Sequence, residues 1–332
     1  LRKNDKNLCK FAMRAPFDIV FLLLPNFSMI ALYSALEPLR VANRFAGELF
    51  AWRFASPDGD AVTASNGIPV SVSAALPAVG RPNLVIVCSS YDHQHAISSE
   101  LRSSLRKLDA AGVWLGGLDT GSIVLAEVGV LDGRRATCHW ETLSAMREDY
   151  PRVSVSNALY EIDGPRLTSS GGTAPLDMML AWIGSLHGAD LATRVADTLV
   201  HARHADAPSS TRIPARTRYG VDDDALLAAI SAMENHLEDI LRLEDVADAA
   251  GVSPRQLERR FKRVLGMPPM RFYLSLRLER AEHLLMYSRL SVRDAGLASG
   301  FASLAQFSRA YRTRYGLSPT QHRRKIAADS NA

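Results

Sequence analysis

The chain has 332 residues, of which 47% are hydrophobic and 22% charged, and its formal net charge is +4. That length suggests two domains, and the composition is that of a globular protein with real cores rather than a disordered or fibrous one. No apolar run approaches the roughly 18 residues that a membrane span needs, so no membrane contact is expected.

The N-terminal stretch LRKNDKNLCKFAMRAPFDIVFLLLP sets basic residues before an apolar run, as a signal peptide would. Asp18 interrupts that run and no small-residue cleavage site follows, so a first core strand is expected instead. Cys9, Cys88 and Cys138 are odd in number and form no C-x-x-C pair, which argues against a disulfide framework and for a reducing cytoplasm. FDIVFLLL is followed by an amphipathic stretch over 31–45, and LVIVC at 84–88 by a helical pattern around 97–110. Next comes VWLGGLDTGSIVLAE at 113–127, which has the grammar of a buried strand, a tight elbow and a helix. Strands alternating with helices predict a mostly parallel sheet covered on both faces. Over 153–169 two short strands are expected around an Asp163-Gly164 turn. Thr173 and Pro175 then open a helix, as N-cap and first-turn proline.

Residues 204–220, HADAPSSTRIPARTRYG, have no apolar period and read as a linker. Beyond them the pattern is helical to about residue 326. Charge changes there too. Residues 1–210 carry 19 Lys+Arg against 21 Asp+Glu, whereas 255–325 carry 16 against 4. A folded segment that basic points to a polyanion.

The second half repeats itself. LEDVADAAGVSPRQLERRFKRVLGMPP (243–269) resembles VRDAGLASGFASLAQFSRAYRTRYGLSP (292–319), with Gly251 matching Gly300 and Phe261 matching Tyr311. Each copy reads as a short helix, a glycine turn, an N-cap and a longer helix, which is the helix-turn-helix plan. Two tandem copies joined by a helix over 270–286 resemble the DNA-binding domain of the AraC/XylS regulators, across about residues 220–325. One departure is Ala295-Gly296, where glycine costs roughly 1 kcal/mol of helix propensity and predicts a softer second motif.

In that fold the second helix of each motif enters a major groove. The outward residues are Arg255, Glu258 and Arg259 in the first motif, and Leu304, Ala305, Gln306, Ser308 and Arg309 in the second. Arginine pairs with guanine and glutamate accepts from cytosine, whereas Leu304 and Ala305 suit methyl groups or shape. The alternative for Glu258 is pairing with Arg255 or Lys262. Arg260, Lys262, Arg263, Arg312 and Arg314 are expected at phosphate or solvent.

The first half resembles the glutamine amidotransferase-like (PfpI-type) domains attached to many such regulators. The resemblance covers about residues 16–190 and rests on three stretches. These are Glu37-Pro38-Leu39-Arg40 with Ala42-Asn43, Leu118-Asp119-Thr120-Gly121 with Leu125-Ala126, and Leu131-Asp132-Gly133-Arg134-Arg135-Ala136-Thr137 with His139-Trp140. It implies a flavodoxin-like, doubly wound α/β sheet over 16–203, a linker over 204–220, and an all-α domain over 221–326 whose helix-turn-helix motifs span 243–265 and 292–315.

Enzymes of that superfamily carry a cysteine at the elbow, and this chain carries Asp119. The reading that follows is a converted nucleophile that holds a ligand, with catalysis, by a carboxylate nucleophile and His139, as the alternative. The resemblance places Glu37 beside Asp119, and two adjacent carboxylates call for a cation. Glu37, Asp119, Thr120, His139 and Trp140 are the candidate ligand residues, with Trp140, Trp114 or Phe27 as an aromatic face; for Glu37 the alternative is pairing with Arg40. Cys88 and Cys138 are expected to be structural. His93 and His95 lack a third ligand, so neither metal nor cofactor is expected. The family resemblance implies a transcriptional activator that binds double-stranded DNA as a homodimer, contacts RNA polymerase and responds to a small amine such as a betaine, carnitine or arginine.

Overall fold

Strand β1 (Phe17–Leu23) runs up the middle of the first domain, and its side chains alternate between two cores. Ile19, Phe21 and Leu23 join one apolar cluster and Val20 and Leu22 the other. Both faces are therefore dry, which is why FDIVFLL shows no polar alternation. The computed structural model describes residues 15–90, 96–201, 212 and 214–329.

After β1 come α1 (Met29–Ala46), β2 (Phe50–Ser56), a small hairpin of β3 (Val62–Thr63) and β4 (Pro69–Val70), β5 (Ala74–Ala75) and β6 (Leu84–Ser89). Then follow α2 (Ser99–Ala110), β7 (Trp114–Asp119), α3 (Gly121–Val128), β8 (Arg135–Ala136), α4 (Leu143–Asp149), β9 (Ser154–Val155), β10 (Tyr160–Asp163), β11 (Arg166–Ser169), α5 (Ala174–His187) and α6 (Ala189–Thr198). The main sheet has the order β10-β11-β7-β6-β1-β2-β5. Its pairings are parallel except β10 with β11, which turn at Gly164. Helices α1, α5 and α6 cover one face, with Leu36, Trp182 and Val195 buried; α2, α3 and α4 cover the other, with Leu105, Val124 and Met146. This is the doubly wound, flavodoxin-like architecture, in which ligands bind outside the carboxyl ends of the strands.

The second domain is helical: α7 (Ala215–Tyr219), α8 (Asp224–Asn235), α9 (Leu243–Ala249), α10 (Pro254–Leu265), α11 (Pro269–Tyr287), α12 (Val292–Ala298), α13 (Leu304–Tyr315) and α14 (Pro319–Asp329). It has two small cores, and α11 serves both. Phe272, Tyr273 and Leu276 close the core of α8–α10, while Leu278, Ala281 and Leu284 close that of α12–α13. Among the described residues no helix is long and apolar enough to cross a membrane.

Two local expectations need correction, the linker's end and the cap of α5. Much of the proposed linker, 204–211 with 213, lies outside the described residues, but its end is the helix α7. Pro214 precedes that helix, Gly220 ends it at φ +60, and Tyr219 packs edge-on to Phe272 at 5.2 Å. A five-residue helix shows no periodicity; it is held by packing of Ala215 and Tyr219 on the core and by the Arg218–Glu234 pair at 2.5 Å. Thr173 precedes α5 but makes no side-chain capping bond. Gly296 is a packing residue: a Cβ there would sit 2.9 Å from the Phe307 ring. Glycine lets the two helices approach, which offsets its poor propensity.

Candidate functional site: the elbow pocket and the reading helices

At the carboxyl end of β7 the backbone of Asp119 turns to φ +59, a conformation costly for most side chains but tolerated by Asp and Asn. Glycines make the turn feasible. A Cβ on Gly117 would lie 2.5 Å from the Ser122 nitrogen, and one on Gly121 only 2.1 Å from the Val87 carbonyl oxygen. On the other side Gly171, at φ +83, leaves room for the acid; a Cβ there would lie 2.8 Å from the Asp119 carboxyl carbon. Gly117-x-Asp119-x-Gly121 is thus the glycine spacing of a nucleophile elbow, with an acid at its apex.

Asp119 is 6% exposed and lines a narrow cleft of about 40 Å³ with Ser90, Thr120 and Thr142 buried and His139, Glu141 and Tyr287 partly exposed around the mouth. Thr120 donates its hydroxyl to the Ser90 carbonyl at 2.6 Å. His139 Nδ1 lies 3.7 Å from Glu141 Oε2. Burial pushes Asp119 up to about 6, against the lowering influence of His139 and of hydrogen bonds from Ser90 and the Thr120 backbone, and Glu141 raises it further. The acid is therefore poised to ionise fully when a positive charge arrives.

The sequence motif over 131–137 builds the strut beneath that mouth. Arg135 bonds Glu161 at 2.8 Å, Thr137 N donates to Thr168 Oγ1 at 3.0 Å, and Thr137 Oγ1 donates to the Ala158 carbonyl at 2.8 Å. These contacts fix the segment that carries His139 and Glu141. Likewise Asn43 bonds both backbone groups of Phe50, at 2.7 and 3.0 Å, tying α1 to β2.

The structure brings Asp119, Thr120 and His139 together but not the other two candidates. Glu37 sits on the outer face of α1, lines a separate groove with Met29 and Tyr33, and pairs with Arg40 at 2.6 Å. The second acid of the pocket is Glu141. Trp140 stands outside the cleft with the Arg212 guanidinium 4.7 Å over its ring and His283 edge-on at 5.3 Å. Its cation face is thus taken by the protein's own arginine. Phe27 is core, and Trp114 packs near Trp182 at 6.5 Å. Cys88 and Cys138 are buried, and burial raises both thiols, Cys138 to about 12. Cys9, His93 and His95 lie outside the described residues. Glu141 directly follows the His139-Trp140 pair, so the signal for it was one residue away; Ser90, Thr142 and Tyr287 left none.

In the helical domain, α10 and α13 present their expected faces. Arg255, Glu258, Arg259, Arg263, Ala305, Gln306 and Arg309 are exposed and Ser308 is half-buried. Leu257 and Phe261, Phe307 and Tyr311 face inward. Both helices begin at a serine cap, Ser253 and Ser303, and end at a left-handed glycine. Arg260 bonds Asp223 at 2.6 Å, and Arg263 reaches the same carboxylate at 3.8 Å.

Known proteins carry the same two parts. Residues 19–184 match the DJ-1/PfpI family and 246–325 a helix-turn-helix domain. The HTH-type transcriptional regulator CdhR of Pseudomonas aeruginosa is 47% identical over 92% of this chain and 91% of its own. The chain belongs to the AraC-type transcriptional regulators with a DJ-1/PfpI-type domain. The regulator GbdR of the same organism is 40% identical over 93% of this chain and 85% of its own. An AraC family transcriptional regulator from Pseudomonas putida, solved by crystallography, superposes with a TM-score of 0.52 at 28% identity, over 55% of this chain and all of that one. The helix-turn-helix domain makes DNA the regulator's partner.

Proposed function

We propose that the DJ-1/PfpI-type domain senses a small cationic metabolite, of the betaine, carnitine or arginine type, and that the helical domain delivers the response at DNA as an activator. The observation that carries this is the pair of acids in one small cleft, Asp119 buried at an elbow and Glu141 at its mouth. The cleft holds only about 40 Å³ as it stands, well below the roughly 300–1,000 Å³ of ligand sites, so a metabolite is admitted only when the cleft opens. Binding rather than turnover is supported by the acid at the apex and by two cysteines that burial keeps protonated.

Asp119 sets the pH dependence. Its folded value lies above that of an ordinary carboxylate, so the folded protein holds this proton more tightly than the unfolded chain. The empty pocket therefore costs stability increasingly as pH rises from about 4 to about 6, and the cost levels off above that. Cation binding needs the ionised form, so affinity is full above pH 6 and falls towards tenfold per unit below it.

Calorimetric titration of the full chain with glycine betaine, carnitine and arginine is the test. Asp119→Asn keeps the φ +59 backbone within reach and is expected to hold or gain stability. It is expected to lose about 2–5 kcal/mol of affinity, the range for removing one partner of a desolvated charge pair. Equal affinities in the two proteins would make the elbow acid structural.

A further inference from the structure

The pocket does not belong to one domain. Six of its lining residues come from the sheet domain, and the seventh, Tyr287, is the last residue of α11, the helix shared by both DNA-binding cores. The Tyr287 hydroxyl donates to Glu141 Oε2 at 3.3 Å, longer than the roughly 2.5–3.0 Å of a good O–H···O bond. Around it the two domains meet with opposite charge. Arg280 reaches Glu148 at 3.4 Å, the Arg289 backbone nitrogen donates to the Asp149 carboxylate at 3.1 and 3.2 Å, and the Arg289 guanidinium bonds Glu127.

We infer that Tyr287 plugs the ligand site, and that a cation entering between Asp119 and Glu141 takes the carboxylate and the space that Tyr287 now holds, loosening the docking of the DNA-binding domain. This rests on the reading of the cleft as a cation site. Space makes the two states exclusive: the cleft is only about 40 Å³ with Tyr287 among its walls, so ligand and hydroxyl do not share it. The long bond to Glu141 is one a charged ligand readily replaces, because hydrogen bonds between charged partners are shorter and stronger. Ligand and docking then oppose each other, and thermodynamic linkage makes the opposition reciprocal. Any change that weakens docking tightens ligand binding, even where it touches no pocket residue.

The experiment uses the full chain, titrated with tetramethylammonium, guanidinium, glycine betaine and arginine, in wild type, Asp119→Asn, Tyr287→Phe and Arg289→Gln. Hydrogen exchange is read in peptides over 143–149 and 280–290. Tyr287→Phe is expected to bind the active probe roughly three- to tenfold tighter, the worth of one modest hydrogen bond, and Arg289→Gln to bind it tighter as well. Saturating probe is expected to raise exchange in both peptides of the wild type, and to add little in Tyr287→Phe, where exchange is already raised. Binding lost in Asp119→Asn but unchanged in Tyr287→Phe and Arg289→Gln, with exchange unmoved by the probe, would leave the cation site standing and overturn the coupling. No binding by any of the four, or equal binding by Asp119→Asn, would overturn the cation site and this inference with it.

Discussion

The two helix-turn-helix motifs share one plan and differ in what holds them and what they show to DNA. In the first, α10 exposes Arg255, Glu258 and Arg259, and Asp223 at the start of α8 grips Arg260 at 2.6 Å. In the second, α13 exposes Leu304, Ala305 and Gln306 at its start. That motif is locked from inside by Phe307 against Gly296, and by Arg277, which stacks 4.2 Å over Phe301 and donates to the Ser299 and Gly300 carbonyls at 3.0 and 2.7 Å. Arg289, which meets the sensor domain, lies three residues before α12. One motif thus exposes charged and hydrogen-bonding groups. The other is apolar at its tip and stands next to the segment that the first domain touches.

The strongest way to break that contrast is at the close packing of Gly296 against Phe307 in the second motif. Gly296→Val is expected to destabilise the DNA-binding domain by about 3 kcal/mol, the upper part of the usual cost of overpacking. The Cβ alone would come within 2.9 Å of Phe307. Ala247→Gly, at the corresponding position of the first motif, should cost only about 1 kcal/mol, the propensity difference. Chemical denaturation of both variants is the check. A stabilised Gly296→Val would mean that α12 and α13 separate freely, and that the second motif is soft after all.

Next in size is base reading. Arg259→Ala is expected to lose about 2 kcal/mol on the cognate site and to relax preference at one base pair, as for a bidentate arginine–guanine contact. Leu304→Ala should cost less than about 1 kcal/mol and blur preference without erasing it at any one position, as shape reading would. Selection of binding sites from random DNA measures both. A preference profile unchanged by Arg259→Ala would reverse the roles assigned to the two motifs.

Those outward faces were legible in the sequence because a helix fixes which residues share a face. Once Leu257, Phe261, Phe307 and Tyr311 are assigned inward, the outward set follows. The strands were legible for a similar reason, since a run such as FDIVFLL only makes sense buried on both sides. The elbow was legible from its glycines and its acid. The rest of the pocket was not. Glu37 carries a family motif but points away, and Glu141 takes the second place because the strut through Arg135 and Thr137 hangs it over the elbow. Tyr287 stands 146 residues from the glutamate it bonds, and no local pattern encodes that. Trp140 was misread because an aromatic face accepts whichever cation reaches it first, and Arg212 does.

The smallest expected effect sharpens the comparison most cleanly, because two consequences of one change have opposite signs. Asp223 caps α8 by accepting from the Leu226 nitrogen at 3.3 Å, and it also accepts from Arg260 at 2.6 Å, with Arg263 at 3.8 Å. Asp223→Asn keeps an oxygen for the cap, and Asn caps as well as Asp. What it removes is the charge holding two arginines of the first motif. The lost ion pairs cost stability by about 0–1 kcal/mol, since Arg263 is well exposed and Arg260 partly so. Both guanidiniums are then freed for phosphate. Affinity for any duplex is therefore expected to rise slightly, and the dependence of binding on salt to steepen by up to two counterions in the slope. Sequence preference should stay where Arg259 puts it. Binding isotherms on one unrelated duplex at several salt concentrations, with a melt of the same protein, decide the matter. A slope identical to wild type would mean that Arg260 and Arg263 face away from the phosphates, leaving the first motif only its base-reading set.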